Sequence, residues 1–520
     1  MSDASDREVP APWPGRLLER ARRLAPGPAA GNTVSDLIDG HTDAEIATRH
    51  GLPIATVRGV RSFYDQLERV PRACDGTACR FADGPELAER LRSFGGEIGH
   101  VRCLGHCYAA PSFQSGSTVY ARPRGMESAN WLAGWGEGMQ PAADLAPVPR
   151  ISLVDEPVIL RRLIPGARPD PFEDYALPDG GTILAAVEAA KLRGRGGAAY
   201  PTAAKWRAAR DTPARERFVV ANGDEGDPGS FVDRLLLEED PHAVLAGMLA
   251  CARAIGARRG FLYIRAEYPR AQQVASAAIA AARLRGVLGL EFDVEVLSGA
   301  GSYVCGEETA LLDSIEGRRG EPRVKPPYPA QSGLWGHPTV VQNVETLAAV
   351  PWAVKQRRAT GTKAVSLAGA LAWTGVAEIP LGISMREVLE RAGGGPASER
   401  AWRMAVVGGP MGRVIPAAHF DVPLSYEGLP GFGHGGIVVL DERVSPRMLA
   451  EHLFGFARGE SCGNCAPCRL GTAQLAHVRD AAGMTRLLDT LERGSLCGFG
   501  QGVPRPIRDL MQHWGGEVFA

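Results

Sequence analysis

Apolar side chains recur at helical spacing over residues 33–67, where Thr42-Asp43-Ala44-Glu45 is a capping box and Ile46, Val57, Val60 and Phe63 mark buried faces. Further on the period shortens. Gly99–Cys103 and Ser117–Tyr120 are strand-like runs in a cysteine-bearing stretch, and the Pro-, Ala- and Gly-rich residues 136–150 predict a boundary. From about 180 the period alternates between that of helices and that of strands. Thr182–Leu192 predicts a helix, Phe218–Ala221 a buried strand, and 232–256 one long helix. Gly260–Ile264 follows as a strand, 270–285 as a helix and Phe292–Leu297 as a strand. Strands alternating with helices predict βαβ units, a largely parallel sheet, and ligand sites at the carboxyl ends of its strands. Residues 360–440 hold short strands, many glycines and a helix near 384–392, and from Ser445 the pattern is helical.

Composition narrows the class. A chain of 520 residues is long enough for about three or four domains, and its 45% hydrophobic content excludes a wholly disordered chain. With 58 Lys+Arg against 59 Asp+Glu there is no electrostatic footprint for nucleic acid. The longest nearly uncharged apolar stretch, Ala243–Ala252, is far short of the roughly 18 residues a spanning helix needs, so no membrane insertion is expected. Residues 1–32 lack the apolar core of a secretory signal, which predicts a cytoplasmic protein. In a reducing compartment cysteines favour metal or redox chemistry over disulfides. Eight of the ten fall into two sets of four.

The later set is Cys462-x2-Cys465-x2-Cys468 with Cys497 as a distant fourth. A [4Fe-4S] cube offers four irons that each need one thiolate, and a tight loop presents three while another brings the fourth. The earlier set pairs Cys74 with Cys79 and Cys103 with Cys107, so that each pair can hold one iron of a [2Fe-2S] rhomb; zinc or an emptied site is the alternative. Gly194-Arg195-Gly196-Gly197-Ala198-Ala199 matches G-x-G-x-x-A, but a helix rather than a strand precedes it, which argues against a standard dinucleotide turn. Its backbone N–H groups can still approach a phosphate, with Lys205 nearby for charge. Asn222 to Gly229 and Gly299 to Glu308 each follow a predicted strand and bring polar groups to strand ends. A solvated turn at the first and helix capping by Glu307 and Glu308 at the second are the plain alternatives. Cys251 and Cys305 read as packed thiols.

Three segments, Gly194–Trp206 (GRGGAAYPTAAKW), Gly299–Glu316 (GAGSYVCGEETALLDSIE) and Glu460–Gly471 (ESCGNCAPCRLG), closely resemble signatures of the flavin-bearing NADH-oxidising subunit of complex I. The same subunit type is the diaphorase of soluble NAD-reducing hydrogenases and of NAD-dependent molybdenum or tungsten formate dehydrogenases. Lys325–Pro329 and Val341–Thr346 fit as well, and upstream Phe63-Tyr64-Asp65 with the first four cysteines resembles the companion [2Fe-2S] subunit. The resemblance implies a multidomain α/β chain: a helical segment over 1–70, a thioredoxin-like [2Fe-2S] domain over 71–140, and a Rossmann-like FMN domain over 155–355. A ubiquitin-like α+β insert over 360–440 and a helical [4Fe-4S] bundle over 445–520 complete it. It places FMN beside Gly194, Arg195, Gly196, Lys205, Asn222, Asp224, Glu225, Tyr303, Gly306, Glu307, Glu308, Gln342 and Asn343. NAD(H) is expected over the flavin, near Glu308, Lys325, Asp227, Tyr200 and Tyr328, with Glu308 as the catalytic residue. Lys205, Arg195 and Lys325 would offset the clustered carboxylates.

The sequence departs from the family in having Ala208 where an aromatic is common, only 23 residues between Cys79 and Cys103, and DEGDPG at Asp224–Gly229 where respiratory members commonly read DESEPG. No motif for a second substrate is present, so electrons must leave the chain. The expected partner is a molybdenum- or tungsten-pterin subunit that oxidises formate, with other iron–sulfur subunits; hydrogenase subunits or complex I are the alternatives. Two other classes stay open on the residues alone: a zinc-stabilised interaction scaffold, and a standard Rossmann dehydrogenase acting on a small molecule.

Overall fold

The structure, a computed structural model, describes residues 36–37, 40–64, 70–93, 97–123, 125–134, 139–164, 166 and 170–519. The expected features within residues 1–35 lie outside them. The capping box is present: Thr42 Oγ1 accepts from the Glu45 N–H while the Glu45 carboxylate accepts from the Thr42 N–H, opening the helix Asp43–His50. That helix and Ile54–Arg61 bury Ile46, Val57 and Val60 against one face of the sheet that holds the central site.

Three sheets are found among the described residues. Strands β1 (Arg72–Cys74), β2 (Gly99–Val101), β3 (Ser112–Ser115) and β4 (Thr118–Ala121) form the first, in the order β2-β1-β3-β4, with β1 and β2 parallel and the rest antiparallel. A further strand, β5 (Arg150–Ser152), starts at the last residue of the expected 136–150 boundary, and the sequence pattern does not announce it.

The central sheet comprises β6 (Phe218–Gly223), β7 (Arg259–Ile264), β8 (Asp293–Ser298) and β9 (Thr339–Asn343), all parallel, in the order β8-β7-β6-β9. β6 is covered on both faces, and Phe218, Val219, Val220 and Ala221 are each no more than 1% exposed, as a short apolar run in a parallel sheet demands. The single helix expected over 232–256 is two, Val232–Glu239 and Pro241–Ile255. Proline cannot donate an N–H inside a helix but is well placed at its start, so the chain breaks at Asp240 and begins again. The second helix is apolar on nearly every side and packs on Val344–Gln356 so closely that a Cβ at Gly247 would collide with the Leu347 carbonyl.

The third sheet adds β10 (Thr362–Gly369), β11 (Gly375–Pro380), β12 (Trp402–Val407), β13 (Arg413–Pro416) and β14 (Gly436–Asp441) to β5, in the order β13-β12-β14-β10-β11-β5. It is fastened to the central region by buried Glu378, whose carboxylate accepts the N–H groups of Val158, Ile159 and Leu160. Helices Pro446–Glu460, Ala466–Gln474, Ala481–Gly494 and Pro504–Phe519 make up most of the C-terminal part, as the pattern from Ser445 predicts. No helix among the described residues is long and apolar enough to cross a membrane.

Candidate cofactor and iron–sulfur sites

Chain order reverses beside β6: β7 and β8 follow on one side, then β9 returns to the other. Ligands of open α/β sheets bind at such a switch point, outside the strands' carboxyl ends. The sequence-expected residues gather there. The Gly194–Gly197 loop is closed by Gly194 N–H to the Tyr200 carbonyl at 2.8 Å, and Gly197 has φ +117°. A Cβ on Gly196 would stand 2.9 Å from Asn343 Cβ and 3.5 Å from His434 Nε2, so only glycine leaves this floor open.

Several expected ligands hold the frame with their side chains. Asn222 donates from Nδ2 to the Gly306 carbonyl at 2.9 Å and accepts the Asp224 N–H at 3.1 Å. Glu225 accepts the N–H groups of Asp233 and Arg234, capping the helix Val232–Glu239. Asn343 caps Val344–Gln356 through Thr346 N–H at 3.0 Å and donates to Asp233. Glu307 caps Glu308–Ile315 through Thr309 and Ala310, so the capping alternative holds for that residue. Gln342 differs: its Oε1 is buried without a hydrogen-bond partner at the end of β9. A buried unpaired oxygen costs about 1–3 kcal/mol unless something completes it, and this orphan acceptor beside an open glycine floor fits a ligand that offers a ring N–H or a hydroxyl donor. Asp224 is nearly buried; burial pushes its carboxyl up to about 8, with Arg265 opposing and Glu267 and Glu460 adding to the rise.

At the rim lies an alternating row of charge. Lys205 Nζ donates to Glu308 Oε2 at 3.0 Å and to the Val341 carbonyl at 3.1 Å; Lys325 Nζ reaches Glu307 at 2.6 Å and Glu308 at 3.3 Å. Burial raises the Glu308 carboxyl, but the two ammonium groups outweigh it and hold it below the usual range. Tyr200 and Tyr328 are each 54% exposed, open for stacking against a dinucleotide. Arg195 requires a correction. Only its backbone belongs to the loop; its guanidinium is buried against Glu345 (2.7 Å), Thr360 and the Thr362 carbonyl, and leaves Lys205 and Lys325 to balance the rim.

Sequence reading missed His434, on the glycine-rich stretch before β14, because an isolated histidine there carries no spacing signal. Its Nδ1 lies 2.6 Å from Asp227 Oδ2, while Asp227 Oδ1 accepts the Tyr303 hydroxyl at 2.5 Å. A signal was available only in the run Gly431-Phe432-Gly433-His434-Gly435-Gly436, which crowds glycines around one titratable side chain.

The thiols group as their spacing suggested. Cys103 and Cys107 sulfurs are 3.5 Å apart, Gly105 N–H donates to Cys103 at 3.3 Å, and Cys74 lies within hydrogen-bonding reach of Cys79. The Gly229 N–H, from the Asp224–Gly229 loop, points at both Cys103 and Cys107. In the C-terminal set burial pushes Cys462 up to about 11 and Cys468 up to about 12, and the neighbouring thiols add to each. Glu307 is near enough to Cys497 to raise its thiol further. Among the described residues no three His, Cys, Asp or Glu converge on a single point, as one zinc ion would need. Cys251 and Cys305 are buried, as expected of packed thiols.

Residues 187–352 match the Nuo51 FMN-binding domain, and 448–520 match the NADH-ubiquinone oxidoreductase-F iron-sulfur binding region. Over 370 residues the chain is 42% identical to the NADP-reducing hydrogenase subunit HndC of Solidesulfovibrio fructosivorans, covering 65% of this chain and 75% of that one. It is 37% identical to the F 2 subunit of the NADH-quinone oxidoreductase of Rhizobium meliloti (strain 1021), covering 65% and 88%. A chain in the crystal structure of NAD+-reducing [NiFe]-hydrogenase in the H2-reduced state superposes with a TM-score of 0.82 at 31% identity, over 94% of this chain and 92% of that one. These likenesses leave neither the zinc scaffold nor the small-molecule Rossmann dehydrogenase standing. The chain belongs to the family of NADH-oxidising, FMN- and [4Fe-4S]-binding oxidoreductase subunits shared by NADH-quinone oxidoreductases and NAD(P)-reducing hydrogenases.

Proposed function

We propose that this chain passes electrons between NAD(H) and two iron–sulfur clusters through one FMN, as the diaphorase subunit of a cytoplasmic multi-subunit complex. In this reading residues 71–140 are a thioredoxin-like [2Fe-2S] domain, 155–355 bind FMN and NAD(H), 360–440 are a ubiquitin-like insert and 445–520 carry the [4Fe-4S] cluster. Gly194 and Gly196 leave room for the flavin, and Gln342 offers it an unpaired oxygen. Lys205 and Lys325 balance Glu307 and Glu308, so a negatively charged dinucleotide meets a rim with no net repulsion. Tyr200 and Tyr328 stack on it, and Glu308, pinned between two ammonium groups, orients the nicotinamide. FMN supplies the conversion between hydride and single-electron transfer.

One observation carries the reading: both cysteine sets abut the same strand-end site. The Gly229 N–H acts on the first set, the Glu307 charge is felt at Cys497 of the second, and Asn464, within the C-terminal cysteine loop, donates to the Pro322 carbonyl at 3.2 Å. Arg102, next to Cys103, donates to Glu460 at 3.1 Å, and Glu460 accepts the Tyr303 N–H at 3.1 Å. Two sets held against one site form a short route for electrons. Cys465→Ala tests it: iron should fall from about six to about two per chain, while NADH still reduces the flavin. A variant that keeps its iron, or a chain that holds about four irons and no [2Fe-2S] signal, overturns the corresponding cluster assignment.

The partner in this reading is a large molybdenum- or tungsten-pterin subunit that oxidises formate and passes the electrons through this chain to NAD+; DEGDPG supports a soluble complex, formate dehydrogenase or hydrogenase, over the respiratory one, and the preference for formate rests on overall family likeness. The likeness over 94% of the chain to a subunit of NAD+-reducing [NiFe]-hydrogenase favours a hydrogenase partner as the second reading. Metal analysis of the natively purified complex separates them. Molybdenum or tungsten supports the first, nickel transfers the assignment to a hydrogenase, and neither reopens the respiratory alternative.

A further inference from the structure

We propose that His434, anchored by Asp227, presents a cationic N–H donor to the FMN lying on the Gly194–Gly197 floor and favours the reduced flavin over the oxidised one. The inference rests on the reading that the flavin occupies this floor. The imidazole reaches the site from the third sheet, more than two hundred positions along the chain from Asp227. Nδ1 is committed to Asp227 at 2.6 Å, which directs Nε2 to the other side, 3.5 Å from where a Cβ of Gly196 would stand. Gly409, at φ +76°, packs behind Asp227, where a Cβ would crowd its carboxylate, so the anchor is itself fixed.

The charged groups that face the ring are Asp227 and Glu225 from the loop after β6 and Asp233 from the helix Val232–Glu239. From the floor opposite, the Arg195 guanidinium is turned away into Glu345, and Asn343 is neutral. Burial opposes the charge, but the hydrogen bond and charge of Asp227, with Asp233 and Glu225, hold the imidazole up to about 9. At neutral pH both ring nitrogens therefore carry protons, and Nε2–H is a donor with no partner among the described residues. When NADH gives up a hydride, two electrons and one proton reach the flavin and NAD+ departs. The negative charge so gained is met by the imidazolium, which keeps its own proton.

The test uses the full chain stripped of FMN and titrated anaerobically with oxidised and with reduced FMN. His434→Gln should weaken binding of reduced FMN about tenfold more than that of oxidised FMN, a midpoint potential lower by about 30 mV for a two-electron couple. In the unsubstituted chain, which needs no altered fold, the preference for reduced FMN should decline as pH rises through about 9. An unchanged ratio in His434→Gln together with a flat pH profile overturns the role of His434 alone. Undiminished FMN binding in Gly196→Val moves the flavin off this floor and overturns both the inference and the reading beneath it.

Discussion

Two charge networks, one of two cations sharing a carboxylate and one of two cations and two carboxylates, border the glycine loop and serve different ends. Arg195 and Lys363 share Glu345, with Glu378 close by, and the side chains of the first three are no more than 4% exposed. Lys205 and Lys325 alternate with Glu307 and Glu308 at the rim, 16–30% exposed. The chemistry of the groups is the same; the water around them is not. Inside, removing one partner strands a charge that nothing solvates. At the rim, water covers such a loss cheaply, which leaves those groups available to a ligand. Burial, then, decides which of the two networks holds the fold and which stays open to a ligand.

The largest expected effect breaks the buried network. Glu345→Gln should destabilise the chain by about 3–5 kcal/mol, read as a lower urea midpoint of the central region, because Arg195 and Lys363 lose their shared carboxylate. Burial raises the Glu345 carboxyl, but Lys363 and Arg195 outweigh it and hold it below the ordinary carboxylate range. A depressed carboxyl stabilises the fold above its unfolded value and ceases to do so as pH falls through its folded value. The unsubstituted chain should therefore lose stability below about pH 4.3, the ordinary value for a glutamate, more steeply than Glu345→Gln. Equal acid profiles would show that this trio is not what anchors the loop.

Next in size is the rim. Glu308→Gln should lower kcat/KM for NADH about tenfold, or about 1.4 kcal/mol, with FMN content intact and stability changed by less than about 1 kcal/mol. Steady-state kinetics on flavin-replete protein, beside a melt, reads both. Unchanged kinetics would remove Glu308 from the reaction and leave it a partner for Lys205 and Lys325.

The contrast also marks how far sequence carries. The cysteine spacings, the parallel sheet and the strand-end loops were legible because each has a local period or a fixed gap, and the capping box at Thr42 was readable in four letters. Asp240-Pro241 was equally local, and overlooking it produced one helix where there are two. The role of Arg195 was not readable: it depends on Lys363 and Glu345, residues more than a hundred positions away that the fold brings to a dry interior. His434 is the same case in reverse, a side chain without a motif that matters only because the third sheet sets it beside Asp227. β5 is three residues long and has no pattern of its own; pairing with β11 makes it a strand.

The smallest expected effect sharpens the comparison, since salt acts on one network and not the other. The screening length falls from about 10 Å at 0.1 M ionic strength to about 3 Å at 1 M, and it acts through solvent. Lys205 and Lys325 are open to that solvent, so KM for NADH should rise about two- to threefold as salt climbs from about 0.05 to about 0.5 M. The stability gap between the unsubstituted chain and Glu345→Gln should stay constant over the same range, because ions do not enter a site where Lys363 is wholly buried. Urea midpoints and NADH kinetics taken at matched salt concentrations check the pair. If the stability gap shrinks in step with the NADH affinity, solvent reaches both networks and burial is not what divides their tasks.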